Sequence, residues 1–425
     1  MTVRCKPAML IPLLVVACAG QPEGGPVVVT FPISALGAEG RVLVGQLARF
    51  MEANPHIRVV QRVTPDAATQ RHQLYVQWLN ARASDPDILQ LDAIWTPEFA
   101  AAGWILPLDR FGPDTSAFFP STITANRWQD TLFALPWFVD VGMLYWRTDL
   151  MAGPPATMSE LVREAKRLRH AKALRYGLVW QGARYEGLVT TFLEYLGAYG
   201  GSILERGRVV VNSEAGRRAL TDMRDGIYRD SIIPSAVLNW HEEESRFAFQ
   251  NGESAFMRNW PYAHGLMQDS SQSRVAGRFS VAPMPAGPGG SPTAALGGAQ
   301  LAINRRTEHP AAAWAVVEFL TRPEQMLERA RVVGQFPPRV ALYDRDQLAA
   351  ALGIPPATAR RVIEYAVPRP VTPVYNQLSE MLQIQLHRAL TRQSEPASAL
   401  ARAQAEMQHL LDRAGLGAGA PVARQ

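Results

Sequence analysis

Three clusters in this sequence place aromatic residues beside charged ones. They are Asp92–Trp95, Trp137–Asp140 and Arg258–Tyr262. A sugar presents hydroxyl groups around its rim and an apolar C–H face, so a site for it needs aromatic rings for stacking and charged groups for hydrogen bonds. The alternative is that the tryptophans and tyrosines fill the apolar core, as aromatic residues commonly do. The clusters therefore predict either a site for a hydroxyl-rich ligand or ordinary core packing.

Sequence patterns typical of catalysts are absent. The chain has neither a Gly-x-Ser-x-Gly nucleophile elbow nor a His-Glu-x-x-His zinc motif. Its eight histidines are dispersed, and no glycine-rich loop follows a strand in the form that holds a nucleotide phosphate. A glycoside hydrolase would need a pair of carboxylates, and candidates are present at Asp92, Asp140 and Glu242–Glu244. The sequence does not give the distances between them, so this possibility stays open. We expect no enzyme activity, metal or cofactor, with an exported glycoside hydrolase as the alternative.

Strands alternate with helices in the first third of the chain. The apolar pattern predicts strands at Val27–Phe31, Ile57–Val63 and Ile88–Leu91, and helices at Glu39–Ala53 and about 67–80. This order implies a largely parallel sheet with helices on both faces. Ligands of such sheets lie beyond the carboxyl ends of the strands, where Asp92 is found.

A second α/β lobe is predicted between about Asp140 and Ala295. Its helices are expected at Ser159–Arg169, Gly187–Tyr199, Ala215–Tyr228 and Glu243–Asn251, and its strands at Tyr176–Trp180 and Arg278–Ala282. The Pro/Gly-rich stretch Pro283–Pro292 is typical of an exposed connection. A strand at Leu301–Asn304 and a helix at Pro310–Leu320 follow, and the last third is mostly helical.

The chain begins with an export signal. Arg4 and Lys6 precede the apolar run Ala8–Ala17. That run is too short for a membrane-spanning helix of about 20 residues. Its charged start and small-residue end are typical of a secretory signal. We therefore predict a protein that works outside the cytoplasmic membrane.

The end of this signal resembles a bacterial lipobox. The residues are Val15–Cys18, and in a lipobox the cysteine becomes the lipidated first residue of the mature protein. Cleavage by ordinary signal peptidase is the alternative. We predict a signal peptide at 1–18, a lipid anchor on Cys18 and a flexible tether at 19–26, which is rich in glycine and proline. The site of action would be the periplasm or the cell surface.

Composition describes a large globular chain. The 425 residues are 47% hydrophobic, and about 400 mature residues suffice for two domains. Both cysteines, Cys5 and Cys18, lie in the predicted signal, so the mature chain forms no internal disulfide and depends on its core. The net charge of +5 comes from 43 basic and 38 acidic residues without a dense basic block, which argues against a nucleic-acid partner.

Several motifs in one order resemble the extracellular solute-binding proteins of carbohydrate ATP-binding-cassette (ABC) importers. The general motifs are Ser84–Ile88, Leu91–Trp95 and Ala102–Asp109. Further segments resemble the trehalose/maltose-binding branch, namely Leu135–Arg147, Trp180–Leu188, Phe256–Ala263, Val367–Pro373 and Gln377–Glu380. The resemblance covers essentially the whole mature chain.

The resemblance implies an α/β fold of two lobes, the type II-like periplasmic-binding-protein fold, with a hinge and an interlobe ligand cleft. We predict an N-terminal lobe from 27–137 and about 301–345, a C-terminal lobe from 138–300 and about 346–415, and a disordered tail at 416–425. The implied ligand is a disaccharide such as trehalose or maltose, or a related glycoside, captured by domain closure. We expect a monomer whose partners are the permease subunits of an ABC importer. The alternative is a sugar sensor without transport, which would use the same site.

The resemblance also assigns site residues by position. The ligands of the sugar hydroxyls would be Glu39, Arg71, Asp92, Asp140 and Arg369, with Glu242 or Glu243 contributing from the second lobe. Trp260 and Tyr262 would stack on the sugar or line the cleft, together with Phe138, which occupies a position where relatives often have tyrosine. The backbone near Gly298 would also contact ligand. Glu39 and Arg71 could instead be surface charges on their helices.

One position departs from the family pattern. Relatives commonly have a tryptophan after the paired glycines, but this chain has Ala299, which we include among the expected ligand-binding positions. An aromatic side chain of that size buries about 150–250 Å², so its loss removes a stacking surface. Phe138 likewise lacks the hydroxyl donor of the tyrosine that relatives often have there. Together, the two differences leave a larger or differently linked glycoside as an alternative ligand.

Overall fold

The computed structural model describes residues 25–33, 37–65, 68–171 and 174–418. The predicted signal at 1–18 with Cys18, most of the tether and residues 419–425 of the predicted tail lie outside these described residues. Among the described residues, no helix is long and apolar enough to cross a membrane.

Strands and helices alternate along much of the chain. The strands are β1 Val27–Ile33, β2 Ile57–Val63, β3 Ile88–Asp92, β4 Arg127–Trp128, β5 Thr131–Leu132, β6 Ala134–Val141, β7 Met143–Arg147, β8 Tyr176–Val179, β9 Leu204–Glu205, β10 Arg208–Val209, β11 Ser254–Asn259, β12 Phe279–Ala282, β13 Ala294–Ile303 and β14 Ala366–Val367. The helices are α1 Gly37–Ala53, α2 Ala68–Asn80, α3 Thr96–Ala101, α4 Pro120–Thr124, α5 Met158–Ala171, α6 Glu186–Ala198, α7 Glu214–Tyr228, α8 Glu242–Gln250, α9 Tyr262–Met267, α10 Pro310–Leu320, α11 Pro323–Val333, α12 Asp346–Leu352, α13 Pro356–Glu364, α14 Tyr375–Leu390 and α15 Pro396–Arg413. Short 3₁₀ turns lie at Asp109–Phe111, Thr115–Ala117, Ser235–Asn239 and Val340–Asp344.

The first lobe is built on β1, β2, β3, β6 and β13. β1 and β2 pair in parallel from Val27 with Ile57 to Ile33 with Val63. β13 lies between β3 and β6 and runs antiparallel to both. The expectation of a largely parallel sheet is therefore wrong, because β13 reaches this sheet from a distant part of the chain in the opposite direction.

The second lobe has its own mixed sheet of four strands in the order β12-β7-β11-β8. β7 is antiparallel to β12 and β11, whereas β11 is parallel to β8. Helices α5, α6, α7, α14 and α15 contribute buried side chains to the core beside this sheet, including Leu161, Phe192, Leu220, Leu382 and Leu400. Burial of such apolar surface is the main stabilising contribution to a lobe that contains no disulfide.

The chain passes between the two sheets at three places. Gly142 joins β6 to β7, the start of β13 returns from the second lobe, and β14 leads into α14. The Gly142 N–H donates a hydrogen bond of 3.1 Å to the Ala295 carbonyl, so the first two connections lie side by side. α12 packs against α11, and α13 contacts β12. The lobe boundaries given above stay a prediction.

Candidate functional site

A cavity of about 420 Å³ lies where the two lobes face each other. Its volume is within the usual range for small-molecule sites, about 300–1,000 Å³. Ten of the eleven residues predicted to contact ligand line it: Glu39, Arg71, Asp92, Phe138, Asp140, Glu242, Trp260, Tyr262, Gly298 and Arg369. The structure therefore brings side chains that are more than 300 positions apart in the sequence to one place.

Ala299 is the exception among the predicted residues. It does not line the cavity, and its side chain is only 5% exposed within the apolar core. In the sheet it pairs with Asp92 on one side and Phe138 on the other. Its strand neighbours Gly297 and Gly298 form the cavity wall, and ligand contact by Ala299 stays a prediction.

Arg369 connects the two lobes at the cavity. Its Nη2 donates to Asp92 Oδ1 of the first lobe at 2.9 Å, and its Nη1 donates to Glu186 Oε1 of the second lobe at 3.0 Å. Burial alone would lower the pKa of this guanidinium, but the carboxylates of Asp92 and Glu186 raise it above its usual value. Tyr375 also donates to Glu186 Oε1 at 2.6 Å, so Glu186 is fixed from several directions. The Arg369 guanidinium therefore stays charged between the two carboxyl groups.

Asp140 lies at the end of β6 with its side chain facing the cavity. Burial, and then the nearby carboxylates of Glu39 and Asp92, raise the pKa of Asp140 to about 7. An ionised carboxylate in this position is stabilised by donors that a bound ligand supplies. Asp140 is thus suited to accept hydrogen bonds from ligand hydroxyl groups.

The second lobe supplies the exposed aromatic faces. Trp260 follows β11, and its indole Nε1 donates to Glu242 Oε1 at 3.3 Å. Tyr262, at the start of α9, is 36% exposed and donates its hydroxyl to Glu243 Oε1 at 2.6 Å. Of the two acidic residues considered from this lobe, Glu242 lines the cavity, whereas Glu243 holds Tyr262 from outside it.

The first lobe supplies a second polar wall. Arg71 is 9% exposed, and its Nη1 donates to the Pro65 carbonyl at 3.3 Å. Gln335 donates from Nε2 to Glu39 Oε1 at 3.0 Å and accepts from Nε of the buried Arg329 at 2.8 Å. Glu39 and Arg71 are therefore held by neighbouring groups at the cavity, which disfavours the alternative of free surface charges.

Gly298 forms part of the wall with its main chain. Its φ is +106°, in the region that favours glycine, and an added Cβ would lie 2.2 Å from the Phe138 carbonyl oxygen. The Gly298 carbonyl accepts from the Ala93 N–H at 3.2 Å. The close approach of β13 to β6 at this point therefore requires glycine.

Nine further residues line the cavity without having been predicted. They are Gln90, Tyr185, Glu186, Gly187, Thr190, Gly297, Val333, Gly334 and Gln335. Tyr185–Gly187 belong to the motif Trp180–Leu188. In this motif Glu186 follows Tyr185, and this pairing of an acid with an aromatic residue could have identified them as site residues. Gln335 and Gly334 follow the end of α11, and no local pattern marks them.

The chemistry available in this cavity is hydrogen bonding and stacking. Five carboxylates, two guanidinium groups and four aromatic rings face it. Among the described residues, no group of three or more His, Cys, Asp or Glu side chains could hold a metal ion. The arrangement is complementary to a ligand with many hydroxyl groups and apolar ring faces.

Comparisons with known proteins agree with this architecture. Residues 35–327 match the family model described as bacterial extracellular solute-binding protein. A probable ABC transporter-binding protein of Deinococcus radiodurans is 34% identical over 416 residues, which cover 94% of this chain and 97% of that protein.

Solved structures give the same result. Maltose-bound MalE3 of T. maritima is 39% identical, with a TM-score of 0.78 over 91% of this chain and 100% of that one. The GacH receptor of Streptomyces glaucescens shares the fold, with a TM-score of 0.78 at 22% identity. The match covers 91% of this chain and 99% of the GacH chain. The predicted two-lobe α/β fold is thus confirmed, and the chain belongs to the bacterial extracellular solute-binding protein family.

Proposed function

We propose that this chain is the substrate-binding component of an ABC sugar importer. The single observation that carries the proposal is the interlobe cavity, in which Trp260 and Tyr262 offer ring faces beside Asp92, Asp140 and Arg369. The likeness to a maltose-bound protein at 39% identity supports a disaccharide such as maltose or trehalose as the ligand. A related glycoside is the alternative within the same class.

The mechanism is capture by domain closure. A ligand that contacts both lobes binds the closed form more tightly than the open form, and this difference in affinity shifts the equilibrium. Arg369 supports such coupling, since it already contacts Asp92 of one lobe and Glu186 of the other. The closed complex is then presented to the permease, and the chain itself performs no chemistry on the sugar.

Lipid anchoring at Cys18 belongs to the same proposal. The lipobox-like Val15–Cys18 supports it, and a tethered receptor would stay close to the permease. Expression of the full chain and of Cys18→Ala, followed by membrane fractionation and labelling with a fatty acid, tests it. Labelling of the original chain alone is expected, whereas equal behaviour of the two chains would favour ordinary cleavage.

Titration calorimetry of the purified protein tests the ligand class. The panel is maltose, trehalose, sucrose, longer maltodextrins and glycosyl-glycerol compounds, with analysis of the sugar after each titration. Saturable binding with intact sugar is expected. Cleaved sugar would instead support the exported glycoside hydrolase, and absence of binding across the panel would contradict the proposed ligand class.

A further inference from the structure

An ion pair lies completely buried behind the cavity. The side chains of Arg258 in β11 and Glu194 in α6 are both 0% exposed. Arg258 Nη2 donates to Glu194 Oε1 at 2.5 Å and Nε donates to Oε2 at 2.8 Å. Its Nη1 donates to Gln181 Oε1 at 3.1 Å. This bidentate geometry fixes the plane of the guanidinium.

One side of the pair supports the stacking residue. The Arg258 guanidinium carbon lies 4.0 Å from the centroid of the Trp260 ring, over the indole face. Trp260 is one of three aromatic residues, with Tyr185 and Tyr262, that the second lobe presents to the cavity. A planar guanidinium over an indole is attracted by the ring quadrupole, so Arg258 restrains the orientation of this ring.

The other side of the pair touches the hinge. Glu194 Oε1 accepts a hydrogen bond of 3.2 Å from the Ala295 N–H, at the start of β13. A Cβ at Gly142 would lie 1.7 Å from that same oxygen and 2.4 Å from Arg258 Nη2. The ion pair therefore fits against two of the three connections between the lobes.

Stability alone is a weak explanation for this arrangement. Removing two charges from water costs free energy, and an apolar pair of similar volume often stabilises a fold as well or better. What an apolar pair cannot supply is a fixed plane under Trp260 together with an acceptor for the Ala295 N–H. The geometry is thus specific to positioning two separate elements.

We propose that Glu194 and Arg258 are positioning residues that couple ligand stacking on Trp260 to the hinge strands at Gly142 and Ala295. A ligand that stacks on the indole orders the ring, the ring orders the guanidinium, and the ion pair holds the start of β13. The inference rests on the proposed sugar-binding function. It assigns no direct ligand contact to either residue.

Three variants separate positioning from folding. Arg258→Lys keeps the charge but loses the bidentate, planar contact. The double variant Glu194→Met with Arg258→Met removes both charges, so no unpaired charge stays buried. Leu400→Ala is the matched control, because Leu400 is fully buried in α15 and does not line the cavity.

Each chain is compared by thermal unfolding, by calorimetry with maltose and trehalose, and by small-angle X-ray scattering with and without sugar. We expect the double variant to unfold cooperatively, to bind about tenfold more weakly and to contract less on adding sugar. Arg258→Lys should show a smaller loss of affinity and a smaller loss of contraction than the double variant. Leu400→Ala should unfold at a lower temperature with unchanged affinity.

If the double variant folds, two results overturn the inference without affecting the proposed function. In the first, the wild-type chain binds sugar and both pair variants bind and contract like it. In the second, Leu400→Ala loses affinity in proportion to its lost stability, as the pair variants do. If the double variant does not fold, unchanged binding by Arg258→Lys overturns the inference. A wild-type chain that binds no sugar contradicts the proposed function and the inference with it.

Discussion

Arginine side chains lie over several aromatic rings around the cavity. The Arg329 guanidinium is 4.0 Å from the Trp137 ring centroid and 5.6 Å from that of Phe138. Arg71 lies 5.6 Å from the ring centroid of Trp95. Such contacts restrict ring rotation before any ligand arrives. Of these three rings, only Phe138 lines the cavity. Because its side chain then loses less freedom on binding, a larger part of its contact with ligand would remain as affinity.

Trp260→Ala removes the main stacking face of the second lobe. We expect sugar binding to weaken by about 2 kcal/mol or more, which is roughly 30-fold, because buried tryptophans dominate such contacts. Calorimetry measures the loss. Trp314→Ala is the control, since Trp314 stacks on Phe111 at 4.8 Å and does not line the cavity. Equal affinity losses in the two variants would contradict the assignment of Trp260.

Asp140→Asn tests the raised pKa through stability. The native carboxyl, with its pKa raised to about 7 by burial and then by Glu39 and Asp92, holds its proton more tightly than the unfolded chain does. The associated stability is complete below about pH 4 and is lost as the pH rises through about 7. We expect the variant to be more stable than wild type at pH 8, by at most about 4 kcal/mol. Urea unfolding at pH 8 and pH 4 measures this difference, which should vanish at the lower pH.

The same carboxyl predicts a pH dependence of binding. Ligand hydroxyl groups that donate to Asp140 favour its ionised form, so wild-type affinity should rise from pH 5.5 to pH 8. Asp140→Asn should bind more weakly and lack this rise. Calorimetry over the pH range checks both chains. A wild-type affinity that does not change with pH would show that ligand does not rely on the ionised carboxylate.

At the scale of the elements, strand β13 forms the wall that both lobes share. It pairs with β6 over most of its length, with β3 on its other edge, and with β14 at its start. The register shifts between Ala299 and Gln300, next to the left-handed Gly298. Gly297 and Gly298, which directly precede this shift, line the cavity.

Gly298→Ala should disrupt this wall. The new Cβ would meet the Phe138 carbonyl oxygen at 2.2 Å in a φ region that alanine disfavours. Such strain costs about 1–3 kcal/mol before the clash is counted. We expect a lower free energy of unfolding and weaker sugar binding. Gly45→Ala in α1 is the control, because its Cβ meets nothing closer than 3.7 Å, and it should be neutral or stabilising.

Local patterns predicted the elements better than their pairing. The strand at Ile57–Val63 was predicted with the bounds that the structure has, and the helix predicted at Glu39–Ala53 begins two residues earlier, at Gly37. The strand at Leu301–Asn304 proved to be the end of β13, which starts at Ala294. Strand direction depends on partners far apart in the sequence, which apolar periodicity does not encode.

The prediction of an exposed connection at Pro283–Pro292 is confirmed only for Pro288–Ser291, which are exposed. The composition of the stretch is typical of an exposed connection, but Met284 is 0% exposed and contributes to the second core.

The cavity residues also differ in whether local sequence patterns or distant packing brings them to the site. Five of the predicted residues lie in the three clusters that carry charged residues beside aromatic rings, whereas Gln335 follows α11, which packs against α1.

At the scale of the whole molecule, Arg369 makes a charged contact between the lobes. Its side chain is 6% exposed, and its two partners are 29% and 30% exposed. The contact stabilises lobes that face each other before ligand binds. In the proposed binding mode, ligand hydroxyl groups at Asp92 would join a network that Arg369 already forms with Asp92 and Glu186.

Arg369→Ala should shift the molecule toward an open form. It leaves Asp92 and Glu186 near each other without their shared cation, at a cost of about 3 kcal/mol. We expect a larger radius of gyration without ligand and weaker sugar binding, as measured by X-ray scattering and calorimetry. Arg360→Ala is the control, because Arg360 forms only exposed pairs, and it should change stability by less than about 1 kcal/mol. An unchanged radius for Arg369→Ala would contradict this role.

The main-chain wall at Gly298 also limits how ligand preference can evolve. A mutation there disturbs the sheet itself, so most variants would be lost before they could be selected for a new ligand. Phe138 and Val333 also line the cavity, and their side chains can change without removing a backbone contact. Directed evolution toward a different sugar should therefore accumulate mutations at Phe138 and Val333, while codon 298 stays unchanged.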